Sequence, residues 1–286
     1  MQKQICLKIV ICSISVLVFN PLTAQSEFVN SADGVSISYE VHGNGVPALV
    51  FIHGWSCDRS YWKRQVDFFS KNFKVVMVDL AGHGESGAGR KNYTIESFGA
   101  DVVAVIDKLH IRPVILVGHS MGGDVAVAAA RLLPREQIMG LVMVDTYKKL
   151  GAGRSPAEVD AFVARFRTDF KDSVSSLVRS MFSSNADPDL INLVANDMSS
   201  APPDIALSAL ASAFSYSREI TRTLTEIDLP ITTINSDNSP TDMVSMQRHR
   251  VNVIIIPHVG HFIMMEDPKH FNEALAAIIS KMKKVK

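Results

Sequence analysis

The stretch Val114-Ile115-Leu116-Val117-Gly118-His119-Ser120-Met121-Gly122-Gly123 decides how this chain folds. Its first four residues are apolar without alternation, as in a strand covered on both faces. Residues 118–122 match G-x-S-x-G, and the alanine-rich segment from Asp124 to Leu133, stopped by Pro134, reads as a helix. A strand that turns this sharply into a helix holds its central residue in a strained backbone conformation. Positions 118 and 122 then need glycine, because a Cβ atom at either would meet neighbouring backbone. The hydroxyl of Ser120 is expected above the sheet at a helix N-terminus, where peptide dipoles favour negative charge.

Similar apolar runs recur on both sides. Ala48 to Ile52 ends in His53-Gly54, and Phe73 to Val78 ends in Asp79-Leu80-Ala81-Gly82-His83-Gly84. Ile138 to Val144 ends in Asp145, and Ile231 to Ile234 and Val251 to Ile256 follow. Val35 to Val41 alternates apolar and polar, as an antiparallel edge strand does. Helix-like segments separate the runs at Ser60 to Phe69, Thr94 to Leu109 and Pro268 to Met282. Thr94 suits an N-cap and Pro268 a first helical turn. This alternation predicts an α/β fold, a mainly parallel central sheet with helices on both faces.

The segment from Tyr147 to about Glu226 breaks that rhythm. It predicts helices around Ala157 to Phe170, Ser173 to Phe182, Asp189 to Met198 and Asp204 to Tyr216, punctuated by Pro188, Pro202 and Pro203. The expected organisation is one domain over residues 25–286 with a helical cap inserted at about 147–226. Phe162, Phe166, Phe170, Met181 and Phe182 are spaced to pack this cap onto the sheet, a few of them bordering an apolar pocket. Arg165, Arg167 and Arg179 are expected to face solvent.

The combination of Gly118-His119-Ser120-Met121-Gly122, His53-Gly54-Trp55 after a strand, Asp79-Leu80-Ala81-Gly82-His83-Gly84-Glu85-Ser86 after the next, and Gly260-His261-Phe262 near the end resembles the α/β-hydrolase superfamily, in its serine branch with a helical cap. The resemblance implies that Ser120 is a nucleophile and that backbone N–H groups of Trp55 and Met121 form an oxyanion hole. Serine needs a base at neutral pH. Of nine histidines, His261 follows the last strand on a glycine-containing loop and is the best candidate, with His258 behind it. His53, His83 and His119 read as structural. The acid departs from the family's usual pattern, whose customary position after the strand that follows the cap is occupied by Ser239. Asp145, at the end of the strand before the cap, ranks ahead of Asp237, with Asp242 third. Its role is to orient His261 and stabilise the imidazolium. Asp124 reads as a residue at the surface or behind the site.

The 286 residues carry no net formal charge, with 47% hydrophobic and 20% charged side chains. Without a basic excess, nucleic acid is not an expected partner; a small-molecule substrate is. Lys281, Lys283, Lys284 and Lys286 read as the solvated end of a last helix. Lys3 and Lys8, the apolar Ile9 to Phe19 and the small Ala24 before Gln25 describe a signal peptide over residues 1–24. The apolar run is shorter than the roughly 20 residues that span a bilayer, so no stable membrane insertion is expected after cleavage. Export places the mature chain in the periplasm or outside the cell if the host is bacterial; an uncleaved N-terminal anchor is the alternative. Of the three cysteines, Cys57 alone lies beyond that segment and reads as a buried small hydrophobe. The pattern contains no H-E-x-x-H, no paired cysteines and no G-x-G-x-x-G between strand and helix, so neither metal nor cofactor is expected.

Ser120 at the turn implies acyl transfer to water through an acyl-enzyme, with a small ester the simplest substrate. Lactones and carbon–carbon bonds are cleaved with the same residue set, and perhydrolase or haloperoxidase-like side activity also fits. Since fold does not fix function, a non-catalytic binding protein is the reading from a different class.

Overall fold

The computed structural model describes residues 25–284; the segment read as a signal peptide, residues 1–24, lies outside the described residues. In chain order the elements are β1 (Glu27–Asn30), β2 (Ser36–His42), β3 (Ala48–Ile52), α1 (Lys63–Phe69), β4 (Lys74–Val78), α2 (Ile95–Leu109), β5 (Val114–His119), α3 (Met121–Leu132) and β6 (Ile138–Val144). Five helices follow: α4 (Pro156–Ala164), α5 (Phe170–Arg179), α6 (Pro188–Met198), α7 (Pro203–Tyr216) and α8 (Ile220–Glu226). Then come β7 (Ile231–Ser236), α9 (Met243–Arg248), β8 (Val251–Ile256), α10 (Ile263–Glu266) and α11 (Pro268–Lys284).

The eight strands form one sheet in the order β1-β2-β4-β3-β5-β6-β7-β8. β1 and β2 pair antiparallel, as does β2 with β4; every other pairing is parallel. Every residue of β3, β5 and β6 is buried, which is why these runs show no alternation. Helices cover both faces, as parallel connections require. The buried Ala126, Ala128, Ala129 and Ala130 let α3 lie close against α2. α2 starts in a capping box, with Thr94 accepting from the Ser97 amide, and ends where His110 turns left-handed.

Several boundaries differ from the sequence-based expectation. The four residues of β1 are too short to show a pattern and pair only at the sheet edge. Ser60 to Phe69 begins as a single 3-10 turn, Arg59–Trp62, before α1. The helix expected over Ala157 to Phe170 stops at Ala164, and Asp169 caps a new one at Phe170 by accepting from the Asp172 amide. α8 and α9 are too short for periodicity to register, although Asp242 caps α9 through the Ser245 amide at 3.0 Å.

The loop carrying Trp55 is anchored by a buried ionic knot. The Asp79 carboxylate, at the end of β4, accepts from the Arg59 amide at 2.8 Å, the Glu85 amide at 2.9 Å and the Arg59 guanidinium. The guanidinium also donates to Glu40 at 2.8 Å, Ser38 at 2.9 Å and Glu85 at 2.8 Å. Burial pushes the Asp79 carboxyl upward, opposed by the Glu85 and Arg59 hydrogen bonds and the Arg59 charge. Removing one member strands the other without a counter-charge, which costs more than removing both. Arg59→Met should therefore lower the unfolding free energy by roughly 3 kcal/mol in urea titrations, and Arg59→Met combined with Asp79→Leu should recover part of that loss.

Candidate active site

The turn between β5 and α3 has the geometry its glycines require. Ser120 sits at φ 52° and ψ −121°, and its amide is tied to the Val144 carbonyl at 2.8 Å. A Cβ at Gly118 would collide with the Gly122 carbonyl, and one at Gly122 with the carbonyls of Ile52 and His53. The ends of β3, β5 and β6 are thus drawn together around one residue. The Ser120 side chain is left at the N-terminus of α3, on the wall of a cavity of about 230 Å³.

Trp55 and Met121 border the same cavity. Neither backbone N–H donates a hydrogen bond among the described residues, so both are free for an oxyanion. The Trp55 indole donates to the Ala206 carbonyl of α7 at 2.7 Å and meets Phe166 and Phe170 edge-on. Trp55 is therefore both a cavity wall and a tie to the helices between β6 and β7.

His261 faces Ser120 across the cavity. Its Nδ1 lies 2.8 Å from Oδ2 of Asp145. Pairing with a carboxylate assigns the proton to Nδ1 and leaves Nε2 as the open lone pair. In this conformation the Ser120 hydroxyl is not hydrogen-bonded to His261; hydrolase sites without substrate are often loose and tighten on binding. The His261 amide donates to the Met181 carbonyl at 2.7 Å, and its own carbonyl accepts from His119 Nε2 at 3.0 Å.

Asp145 ends β6 in a left-handed conformation, φ 49°, with its amide on the Ile234 carbonyl of β7. Its Oδ1 accepts from the Ser236 amide at 2.8 Å, the Ser236 hydroxyl at 3.0 Å and Lys148 Nζ at 2.8 Å. Lys148 also donates to the Ser236 carbonyl at 2.6 Å. Burial alone would raise the Asp145 carboxyl, but the hydrogen bond and charge of His261, together with Lys148, hold it well below the usual carboxylate range. Both oxygens are hydrogen-bonded, Oδ1 three times and Oδ2 by His261, which fixes the carboxylate plane against the imidazole.

The other sequence candidates lie apart. Asp237 is exposed and caps the His258 amide at 2.8 Å. Asp242 caps α9, and Ser239 is exposed. His258 borders a separate open groove of about 1,020 Å³ that contains neither Ser120 nor His261. His53 and His83, in loops, and His119, at the end of β5, are all buried. His53 donates to the Gly54 carbonyl at 2.8 Å and accepts from the Leu80 amide at 3.0 Å. Cys57 is buried against the Trp55 carbonyl, and burial pushes its thiol well up, away from the thiolate. The placement of Asp124 at the surface is corrected: it is 4% exposed and lines the cavity, with Tyr147 donating to it at 2.6 Å. Lys148, Ser236 and Tyr147 were not singled out from sequence, because nothing in their spacing separates them from neighbours such as Lys149 and Thr146. Among the described residues no group of three or more His, Cys, Asp or Glu side chains could hold a metal ion, and no helix is long and apolar enough to cross a membrane.

An open α/β sheet with a serine at a glycine-flanked strand-to-helix turn, facing a histidine on the loop after the last strand, defines a class of hydrolases. The model of the alpha/beta hydrolase family matches residues 49–274. The chain belongs to that family. It is 24% identical over 267 residues to 3-oxoadipate enol-lactonase 2 of Acinetobacter baylyi, covering 88% of this chain and 96% of the relative. It is 25% identical over 257 residues to pimeloyl-[acyl-carrier protein] methyl ester esterase of Nitrosomonas europaea, covering 85% and 99%. A thermophilic esterase from Thermogutta terrifontis superposes with a TM-score of 0.79 at 24% identity, over 91% of this chain and 99% of the other.

The buried histidines make stability depend on pH. Burial holds His83 at about 4 and His119 at about 3, and lowers His53 as well. Between those values and roughly 6.5, the unfolded chain takes up protons that the folded chain refuses, so stability rises with pH through this window. The depressed Asp145 carboxyl acts in the same direction lower down: its contribution is present above the unfolded value near 4 and is lost as pH falls towards its folded value. Unfolding free energies from urea titrations should therefore fall from pH 7 to pH 4.5, each buried histidine contributing on the order of 1 kcal/mol per pH unit, opposed in part by Asp101 and Asp124, whose carboxyls burial pushes up to about 6 and about 7. His119→Asn should flatten the slope.

Proposed function

We propose that this chain is an exported serine hydrolase that cleaves a small ester or related acyl substrate through an acyl-enzyme intermediate. The observation that carries this reading is Ser120 and His261 on one cavity beside two free backbone N–H groups, with Asp145 bonded to the His261 imidazole. His261 Nε2 takes the Ser120 proton as Oγ attacks the acyl carbon. The oxygen of the tetrahedral intermediate is then held by the Trp55 and Met121 amides at the dipole end of α3. His261 returns the proton to the leaving group, and water repeats the sequence on the acyl-enzyme. Asp145, buried and ionised, keeps the imidazole in the required tautomer and stabilises its protonated form. The helices α4 to α8 act as the cap, closing the cavity with Phe162, Leu177, Met181 and Phe214 and excluding bulk water.

The named relatives support an acyl C–O bond as the target: one is a lactonase and one a methyl ester esterase. A lactone is an intramolecular ester and needs the same attack, so lactones belong within the proposed range. The pattern of residues 1–24 supports export.

Turnover of p-nitrophenyl esters of graded acyl length tests the reading. Ser120→Ala should lower kcat by at least about 1,000-fold, and Asp145→Asn by a few hundred-fold or more. Asp237→Asn should stay within about twofold; loss of activity there, with Asp145→Asn unaffected, overturns the acid assignment. No turnover by the wild type, together with no labelling of Ser120 by an organophosphonate, would instead favour a binding protein. Export is checked by mass spectrometry of the protein recovered from a bacterial host. A periplasmic chain beginning at Gln25 is expected, whereas a full-length chain in the membrane fraction would indicate an uncleaved anchor.

A further inference from the structure

The cavity wall is apolar except along one side. Asp124, in the first turn of α3, borders the same cavity as the nucleophile Ser120 at that helix's N-cap. It is buried, and its Oδ1 accepts from the Tyr147 hydroxyl at 2.6 Å. The other oxygen, Oδ2, has no partner among the described residues, yet it is not sealed into the packing and so opens on the cavity. No cation pairs with it among the described residues: Arg and Lys partners are found for Asp33, Asp79, Asp101 and Asp145, but not for Asp124. On the same cavity wall, the Thr146 hydroxyl is buried without a partner among the described residues. A purely apolar acyl group would be served better by a leucine, because a buried carboxyl with a free oxygen is costly unless something completes its hydrogen bonds.

We propose that Asp124, held by Tyr147, is a specificity-determining subsite that binds a hydroxyl on the acyl chain of the substrate, within the first carbons beyond the scissile carbonyl. This deepens the serine-hydrolase reading above and rests on it. Ser120 and Asp124 border one cavity of about 230 Å³, so a short hydroxyacyl group whose carbonyl sits at Ser120 keeps its hydroxyl in the same small space as Asp124. Burial pushes the Asp124 carboxyl up to about 7, opposed by the Tyr147 hydrogen bond. Both protonation states therefore occur near neutrality, and a hydroxyl complements both. It donates to the carboxylate and accepts from the acid, whereas an ammonium suits only the carboxylate. A site built to hydrogen-bond a hydroxyl discriminates strongly against the isostere that lacks it, since the buried acceptor is then left unpaired.

The test uses methyl 2-hydroxybutyrate and methyl 3-hydroxybutyrate, each against the ester with methyl in place of hydroxyl, with kcat/KM measured by pH-stat at pH 7.5. The readout is the hydroxyl-to-methyl ratio in the wild type divided by that in Asp124→Leu, which cancels the intrinsic reactivity of the esters. A drop of tenfold or more in the variant for at least one pair is expected, with a smaller drop in Tyr147→Phe. Equal losses on both members of each pair would mark Asp124 as merely structural and overturn the subsite, leaving the hydrolase intact. If Asp124→Leu does not fold, the same ratio in Tyr147→Phe decides: an unchanged ratio overturns the proposal. If the wild type cleaves none of these esters and an organophosphonate leaves Ser120 unlabelled, the serine-hydrolase reading fails and the subsite with it.

Discussion

The close approach of Gly118 to Gly122 governs everything above it. With two hydrogen atoms where side chains would stand, β5 reverses into α3 within a single residue, and Ser120 takes a left-handed backbone conformation. The strain is held from three sides. The Ser120 amide is bound by the end of β6, Gly122 lies against the end of β3, and α3 is pressed onto α2 by its alanines. A residue at an unfavourable φ persists only where its surroundings over-determine it, and here the surroundings are the central strands of the sheet.

The second constraint is the pairing of β6 with β7. The ends of these neighbouring strands point at the same space beneath the loop that carries His261. A carboxylate from either strand end can reach that space. In this chain it comes from β6, as Asp145, while β7 supplies Ser236, whose amide and hydroxyl hold the carboxylate, and whose carbonyl holds Lys148. The strand whose following loop carries Ser239 at the customary acid position thus furnishes, through Ser236, hydrogen-bond donors to Asp145. Lys148 adds a positive charge that keeps the buried Asp145 ionised against the cost of desolvation.

The helices between β6 and β7 do more than cover the sheet. The Met181 carbonyl holds the His261 amide, and the Ala206 carbonyl holds the Trp55 indole. The histidine loop and the loop of the proposed oxyanion donor are each fastened to this helical segment, so its position and the geometry of the cavity are coupled. The polar side of that cavity is contributed by α3 and by the start of the same segment, through Asp124, Thr146 and Tyr147.

The strands of the parallel core, the turn at Ser120 and the placement of His261 on a loop after the last strand were legible in the sequence. They depend on local signals: uninterrupted apolar runs for strands buried on both faces, and glycines at fixed offsets for a turn that admits nothing larger. The sequence ranked Asp145 ahead of Asp237 without deciding between them, because both follow strands, and only the folded chain puts one beside the imidazole and leaves the other in solvent. The same is true of Asp124: α3 is apolar enough on its inner face that an acidic residue in it reads as outward-facing, and only the packing of the helices between β6 and β7 makes a buried carboxyl part of the cavity wall. Local sequence determined the backbone that presents Ser120; long-range packing decided which charges surround it, because burial and pairing of a side chain are properties of elements that meet only in the folded chain.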